Sequence, residues 1–283
     1  MDKAQAILQD YNGVDHYTIN ITGGEIFMDE VPDEIFEHYY QFARAISGGI
    51  KSHRINFISN LVFDNHPRVL DLFERLTATD TNFSLGTSYD PRGRFNRFTR
   101  AVFERNLRVF SHYLTDVSMV LTQQSVQHFL SGVEDTTFEY LYAHYPIFVD
   151  HYTPGPDYQR HQPSDAEIVD LYIYLSEHYP DVEPVKSFRE RVNNPTTCRS
   201  TTVVMPNSRS VSCRALITED PIWDGKQAAD IKHQAEADFV EQFGCLECEH
   251  FTRCGLRCFL HNEFLPTRSR ECQFKRMFDT ILT

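Results

Sequence analysis

Over residues 1–155, short β-prone apolar runs alternate with segments whose apolar residues recur at helical spacing. Strands are expected at His16–Ile21, Ile55–Ile58, Phe83–Leu85, Val117–Leu121 and Ile147–Val149. Helices are expected at Asp2–Asp10, Pro32–Ile46, Pro67–Leu76, Phe98–Tyr113 and Ser125–Leu130. Strand–helix repetition of this kind builds parallel strands joined by helices, in a barrel or an open sheet. Five strands fall short of a closed eight-stranded barrel. Polar and glycine-rich residues gather just beyond the strands, the edge at which parallel α/β folds bind ligands. The Pro-, Gly- and polar-rich stretch Tyr152–Pro163 reads as a boundary, and Ser164 with Glu167 makes a capping box for a helix reaching about His178. The expected fold class is therefore α/β: a barrel or open sheet over 1–160, a linker helix region over 161–197 and a small cysteine-rich domain over 198–283.

Charge and hydropathy exclude several partners. The net charge of −13 argues against nucleic acid, whose phosphates need an excess of Lys and Arg. A local basic cluster, Arg92, Arg94, Arg97 and Arg100, could hold a small anion or form a solvated helix face. No apolar run has the ~18–20 residues that span a bilayer. The N-terminus MDKAQAILQDYNG lacks a basic stretch followed by an apolar core, so it does not read as a secretory signal, and a cytoplasmic location is expected.

The cysteines add a chemical constraint. All seven lie at or beyond Cys198, and an odd count in such a chain does not suggest a disulfide framework. They are Cys198, Cys213, Cys245, Cys248, Cys254, Cys258 and Cys272, spaced C-x14-C, then C-x2-C-x5-C-x3-C, then x13 to the last. A C-x2-C pair lets two thiolates converge on one metal from a tight turn. Seven thiolates exceed the four that one zinc ion or one cubane cluster accepts, so two metal centres are the economical reading. The alternatives are isolated buried thiols, or structural zinc on Cys245, Cys248, Cys254 and Cys258. Zinc there leaves the other three cysteines unexplained.

This arrangement resembles the seven-cysteine signature of the SPASM domain, found at the C-terminal end of radical S-adenosylmethionine (SAM) enzymes that modify peptides and proteins. In that signature a Gly lies between the first two ligands, and Ser208, in the turn-forming Pro206-Asn207-Ser208, stands at its place. The resemblance implies two auxiliary 4Fe–4S clusters. Cys245, Cys248, Cys254 and Cys272 would hold the outer one, and Cys198, Cys213 and Cys258 the inner one. Val192 occupies the position of a further ligand that some members use, which implies an open iron or a non-cysteine ligand at the inner cluster.

The resemblance extends into the first half. Thr22-Gly23-Gly24-Glu25 follows a strand, as does the family motif that contacts the amino group of SAM. Paired glycines admit close backbone approach, and Glu25 can accept from an ammonium. Ser59, Asn60, Ser88, Asp90 and Thr122, at later strand ends, fall where the family lines its cofactor pocket. Either Arg94 or Arg100 is implied as the partner of the cofactor carboxylate. Each of these is otherwise an ordinary polar loop residue.

Two departures shape the functional expectation. No cysteine precedes Cys198, so the family's C-x3-C-x2-C loop, which ligates the SAM-cleaving cluster, has no counterpart here. Met1 begins in what resembles the helix after that loop, so the resemblance implies a partial barrel over 1–160 that lacks its first strand. Arg214 stands where sulfatase-maturing members carry an Asp, and a cation cannot act as that base. The expectation is a component or truncated form of a radical SAM/SPASM enzyme acting on a peptide or protein substrate. It would hold SAM weakly, or only with a second polypeptide carrying the C-x3-C-x2-C loop. The alternative is a non-catalytic, cluster- or zinc-binding scaffold or interaction protein derived from the same family.

Overall fold

The computed structural model describes residues 16–50, 52–93, 95–151, 161–190, 203–204, 210–211, 234, 237–251, 254 and 272–283. Several expected features lie outside the described residues: the first helix, Arg94, most of the boundary stretch, Val192, Cys198, Cys213, Arg214, Cys258 and the turn at Ser208. The protein is α/β, with a curled five-stranded parallel sheet compatible with part of a β/α barrel. The strands are β1 (Tyr17–Ile21), β2 (His53–Ser59), β3 (Phe83–Tyr89), β4 (Leu114–Leu121) and β5 (Ile147–His151), ordered as in the chain. Helices α1 (Asp33–Gly49), α2 (His66–Ala78) and α3 (Arg97–Val109) connect the first four strands. Two helices, α4 (Gln123–Leu130) and α5 (Thr136–His144), separate β4 from β5. Further on come α6 (Asp165–His178), α7 (Val185–Arg189), the short antiparallel pair β6 (Val203–Val204) and β7 (Ser210–Val211), and α8 (Gln273–Ile281).

Burial follows sequence pattern. In β2 every residue except Arg54 and Ile58 is buried, as expected of a strand covered on both faces. The alternation half-buried/exposed in β1 is that of an edge strand with one face on the core. On α2 the buried residues Val69, Leu72, Phe73 and Leu76 recur at helical spacing, and Pro67 starts the helix where its missing N–H costs nothing. On α3, Asn96 accepts from the backbone N–H groups of Phe98 and Thr99 and completes a capping box with Thr99. Gly86 in β3 is needed for close approach, because a Cβ there would lie 3.0 Å from Asp116 Oδ1 and 3.3 Å from Asn56 Nδ2.

The chain divides into two compact units, residues 1–119 with 135–147, and 120–134 with 148–283. In the first, Phe27 packs against Phe57 (6.0 Å between ring centroids) and Phe73 (5.8 Å), and Phe73 meets Tyr113 at 4.9 Å. Ring pairs at these separations add about 0.5–1.5 kcal/mol each beyond their burial. A second aromatic group joins Tyr89, Phe95, Phe103 and Phe138. In the second unit, the buried face of α6 (Ile168, Val169, Leu171, Tyr172, Leu175) packs with α8, whose Phe274, Met277 and Phe278 are buried. Among the described residues, no helix is long and apolar enough to cross a membrane.

Candidate metal centre

Four of the seven cysteines fall within the described residues, and all four line one pocket. A helical segment at 237–242 ends at Gly244, whose φ of +59° is the left-handed conformation favoured by glycine at a helix C-terminus. The chain then makes a 3-10 turn, Cys245–Glu247, in which the Cys248 N–H donates to the Cys245 carbonyl at 3.1 Å. The N–H of Phe251 donates to the Cys248 carbonyl (3.1 Å) and that of Cys254 to the His250 carbonyl (2.7 Å), so successive tight turns carry the chain past three cysteines. Cys272, immediately before α8, supplies the fourth wall. Phe243, Phe251, Phe274 and Phe278 complete an apolar lining, with His250 and Lys275 beside them. No disulfide joins Cys245, Cys248, Cys254 or Cys272.

The electrostatics show that these thiols influence one another. Burial pushes the Cys245 thiol up to about 11, and the neighbouring Cys272 and Cys248 push the same way. A cation at their centre would reverse this, because coordination deprotonates a thiol outright.

His250 is the residue that sequence reasoning passed over. It is buried, its Nε2 lies 3.0 Å from Asp279 Oδ1 on α8, and its ring stacks on Phe278 at 5.1 Å. Its Nδ1 is buried and has no hydrogen-bond partner. Glu249, His250 and Asp279 also bring three ligand atoms within 4.8 Å of one another. That outer group already faces a cation, for Lys275 Nζ lies 3.2 Å from Glu249 Oε1 and 3.1 Å from Asp279 Oδ2. These ion pairs, led by the hydrogen bond from His250, hold the Asp279 carboxyl below its usual value. The one available sequence signal was a histidine two residues after the second cysteine of C-x2-C; its carboxylate partner lies 29 residues away.

At the strand ends the structure joins three of the expected cofactor residues. Gly23 and Gly24, with φ of +142° and +55°, turn the chain after β1 as only glycine does readily. The turn delivers Glu25 into a buried position. There its carboxylate accepts from Phe27 N–H (3.0 Å), Ser59 Oγ–H (2.7 Å) and Asn60 N–H (2.6 Å). Ser59 and Asn60 also accept from the backbone N–H groups of Leu61 and Val62, tying up the end of β2.

Of the remaining candidates, Asp90 and Thr122 bond within their own loop or cap, while Arg100 reaches to the start of α5. Asp90 accepts from the N–H groups of Arg92 (3.2 Å) and Gly93 (2.7 Å). Ser88 sits half-buried on β3 in register with Ser118. Thr122 caps α4 by accepting from Ser125 N–H. Arg100 donates to Asp135 Oδ1 (2.7 Å) and Thr137 Oγ1 (2.9 Å) and pairs with Glu104. Asp135 in turn accepts from the Tyr89 hydroxyl at 2.8 Å, and burial followed by that carboxylate raises Tyr89 far above the usual tyrosine value. Compared with known proteins, the chain matches no family model, no curated protein and no solved structure.

Proposed function

We propose that this chain is a component of a radical SAM enzyme that modifies a peptide or protein, and that its cysteine-rich part carries auxiliary 4Fe–4S clusters. One observation carries the reading: Cys245, Cys248, Cys254 and Cys272, assigned to one cluster by the resemblance, line one pocket although up to 27 positions apart. The donor set fits the group, since four thiols around a largely apolar pocket are what a cubane cluster takes from a protein. Such a cluster, when bound, supplies one-electron transfer. The chain's own residues supply the rest: four thiols that give up their protons on loading, phenylalanine walls that limit water, and a buried imidazole beside them. Cys198, Cys213 and Cys258 would hold the inner cluster. In the first unit, Gly23, Gly24 and Glu25 with Ser59 and Asn60 would form one wall of a SAM pocket, to which Ser88 and Asp90 belong by their strand-end positions.

The three thiolates of a SAM-cleaving cluster would come from outside these 283 residues, since no cysteine precedes Cys198. The isolated chain, reconstituted anaerobically with iron, sulfide and a strong reductant, is expected to form no 5′-deoxyadenosine from SAM. Adding a polypeptide with a strand and a C-x3-C-x2-C loop is expected to restore formation. Robust 5′-deoxyadenosine from the chain alone overturns this division of labour.

A second reading is favoured by Glu25. The carboxylate expected to meet the SAM amino group accepts three internal hydrogen bonds, as a loop-fixing residue does. On that reading the protein is a cluster- or zinc-stabilised scaffold that binds a partner without catalysis. Equilibrium binding in the presence of a polypeptide carrying the C-x3-C-x2-C loop separates the two: SAM binding weakened by Glu25→Gln supports the first, and no SAM binding at any loading supports the second.

A further inference from the structure

We propose that His250 is a metal ligand in the cysteine-lined pocket, donating its Nδ1 lone pair, with Asp279 as the positioning residue behind it. The inference rests on the reading of this pocket as a metal centre and adds a donor that the cysteine spacing does not contain. Its basis is geometric. His250 lines the same pocket as Cys245, Cys248, Cys254 and Cys272. The ring is held on one side by Nε2 at 3.0 Å from Asp279 Oδ1 and on its face by Phe278. A carboxylate has no proton to give, so the hydrogen of that bond sits on Nε2. In the neutral imidazole this leaves Nδ1 as a bare acceptor pointing away from Asp279.

That nitrogen is buried and nothing donates to it. Buried acceptors of this kind are rare because burial strips their water without replacing it. A metal ion is the electron-pair acceptor that would satisfy it among thiolates. The arrangement of carboxylate, histidine and metal recurs in protein metal sites, where the carboxylate fixes both tautomer and ring orientation. The pocket thus offers five donors for four positions, four sulfur and one nitrogen, and the bound centre has a mixed thiolate–imidazole ligand set. The neighbouring Glu249–Asp279 pair is not the site, because Lys275 lies between those carboxylates.

The test uses the full chain labelled with 15N-histidine and loaded anaerobically in two arms, ferrous iron plus sulfide followed by one-electron reduction with dithionite, and cobalt(II) alone. Pulsed EPR then reports any nitrogen bonded to the paramagnetic centre. The expected result is a 15N coupling of a directly bound nitrogen in the arm that loads, lost in His250→Ala. Asp279→Asn keeps the imidazole but frees its tautomer, and is expected to weaken metal binding roughly 10–100-fold. The wild-type signal decides the point even if His250→Ala fails to fold, and a coupling altered in Asp279→Asn then makes the assignment. A loaded centre without 15N coupling, or with coupling unchanged in folded His250→Ala, overturns this inference and leaves the metal-centre reading intact. Failure of both arms to load overturns both.

Discussion

Glu25 and His250 are both more than nine-tenths buried, at 7% and 6% exposure, yet their surroundings are opposite. Glu25 accepts three hydrogen bonds from its own unit, and each offsets part of the cost of taking a carboxylate out of water. His250 satisfies one nitrogen on Asp279 and leaves the other with nothing, among four thiols. A polar group whose partners are all internal is explained by the fold alone. One left over in a cysteine-lined pocket asks for a ligand. The strand-end site therefore reads first as architecture, and the cysteine pocket reads first as chemistry.

If that contrast is right, substitutions at the two sites should fail differently. The largest effect belongs to Cys248→Ala, which removes a thiolate ligand of the outer cluster. Iron and sulfide per chain should drop by about half, one cubane of two. The loss of melting temperature should exceed that of Cys198→Ala, since binding energy at such a site is folding energy. Equal or reversed effects on iron content and melting would break the assignment of ligands.

Glu25→Ala should instead destabilise the chain by about 3 kcal/mol, because it leaves buried donors without an acceptor. Chemical denaturation should show this loss whether or not metal is present. A loss confined to the metal-loaded chain would contradict the architectural reading of Glu25. The pH dependence sharpens the other side of the contrast. In the folded metal-free chain Cys245 is raised from 9.0 to about 11, so the folded state holds a proton that the unfolded chain has released. Stability of the metal-free chain should therefore be fully present below pH 9.0 and fall as pH rises towards about 11. Metal-loaded protein, with the thiol already deprotonated, should lack this decline. The smallest effect is expected of Gly24→Ala, where φ of +55° costs a side-chain-bearing residue about 1–2 kcal/mol.

Much of this architecture is legible before any coordinates. All five parallel strands lie where apolar runs end in polar or glycine residues, because a buried strand needs both the run and the turn. β4 begins at Leu114 rather than Val117: Asp116 is polar yet pairs with Gly86, and Thr115 sits at a register irregularity. Helix α5 is hidden because TTFEYLYAH mixes apolar and polar residues with little facial separation, and Asp135, which caps it, reads as a loop residue. Helix α8 is only 9 residues long, so its stripe Phe274, Met277, Phe278 covers too few turns to stand out as a periodic pattern. Cys245, Cys248, Cys254 and Cys272, grouped together by the resemblance, line one pocket. The Glu25–Ser59–Asn60 bonds and the His250–Asp279 pair are not legible, since each joins residues 29 to 35 positions apart and depends on which face turns inward.

The central claim is that the cysteine pocket is a metal centre and that iron and sulfide are what it holds. Iron, acid-labile sulfide and zinc, quantified per chain after anaerobic purification, address it most directly. The account predicts iron and sulfide in near-equal amounts at about eight of each per chain, with the characteristic visible absorption of cubane clusters and little zinc. Stoichiometric zinc without labile sulfide, or a chain that folds to the same stability with no metal at all, would contradict it.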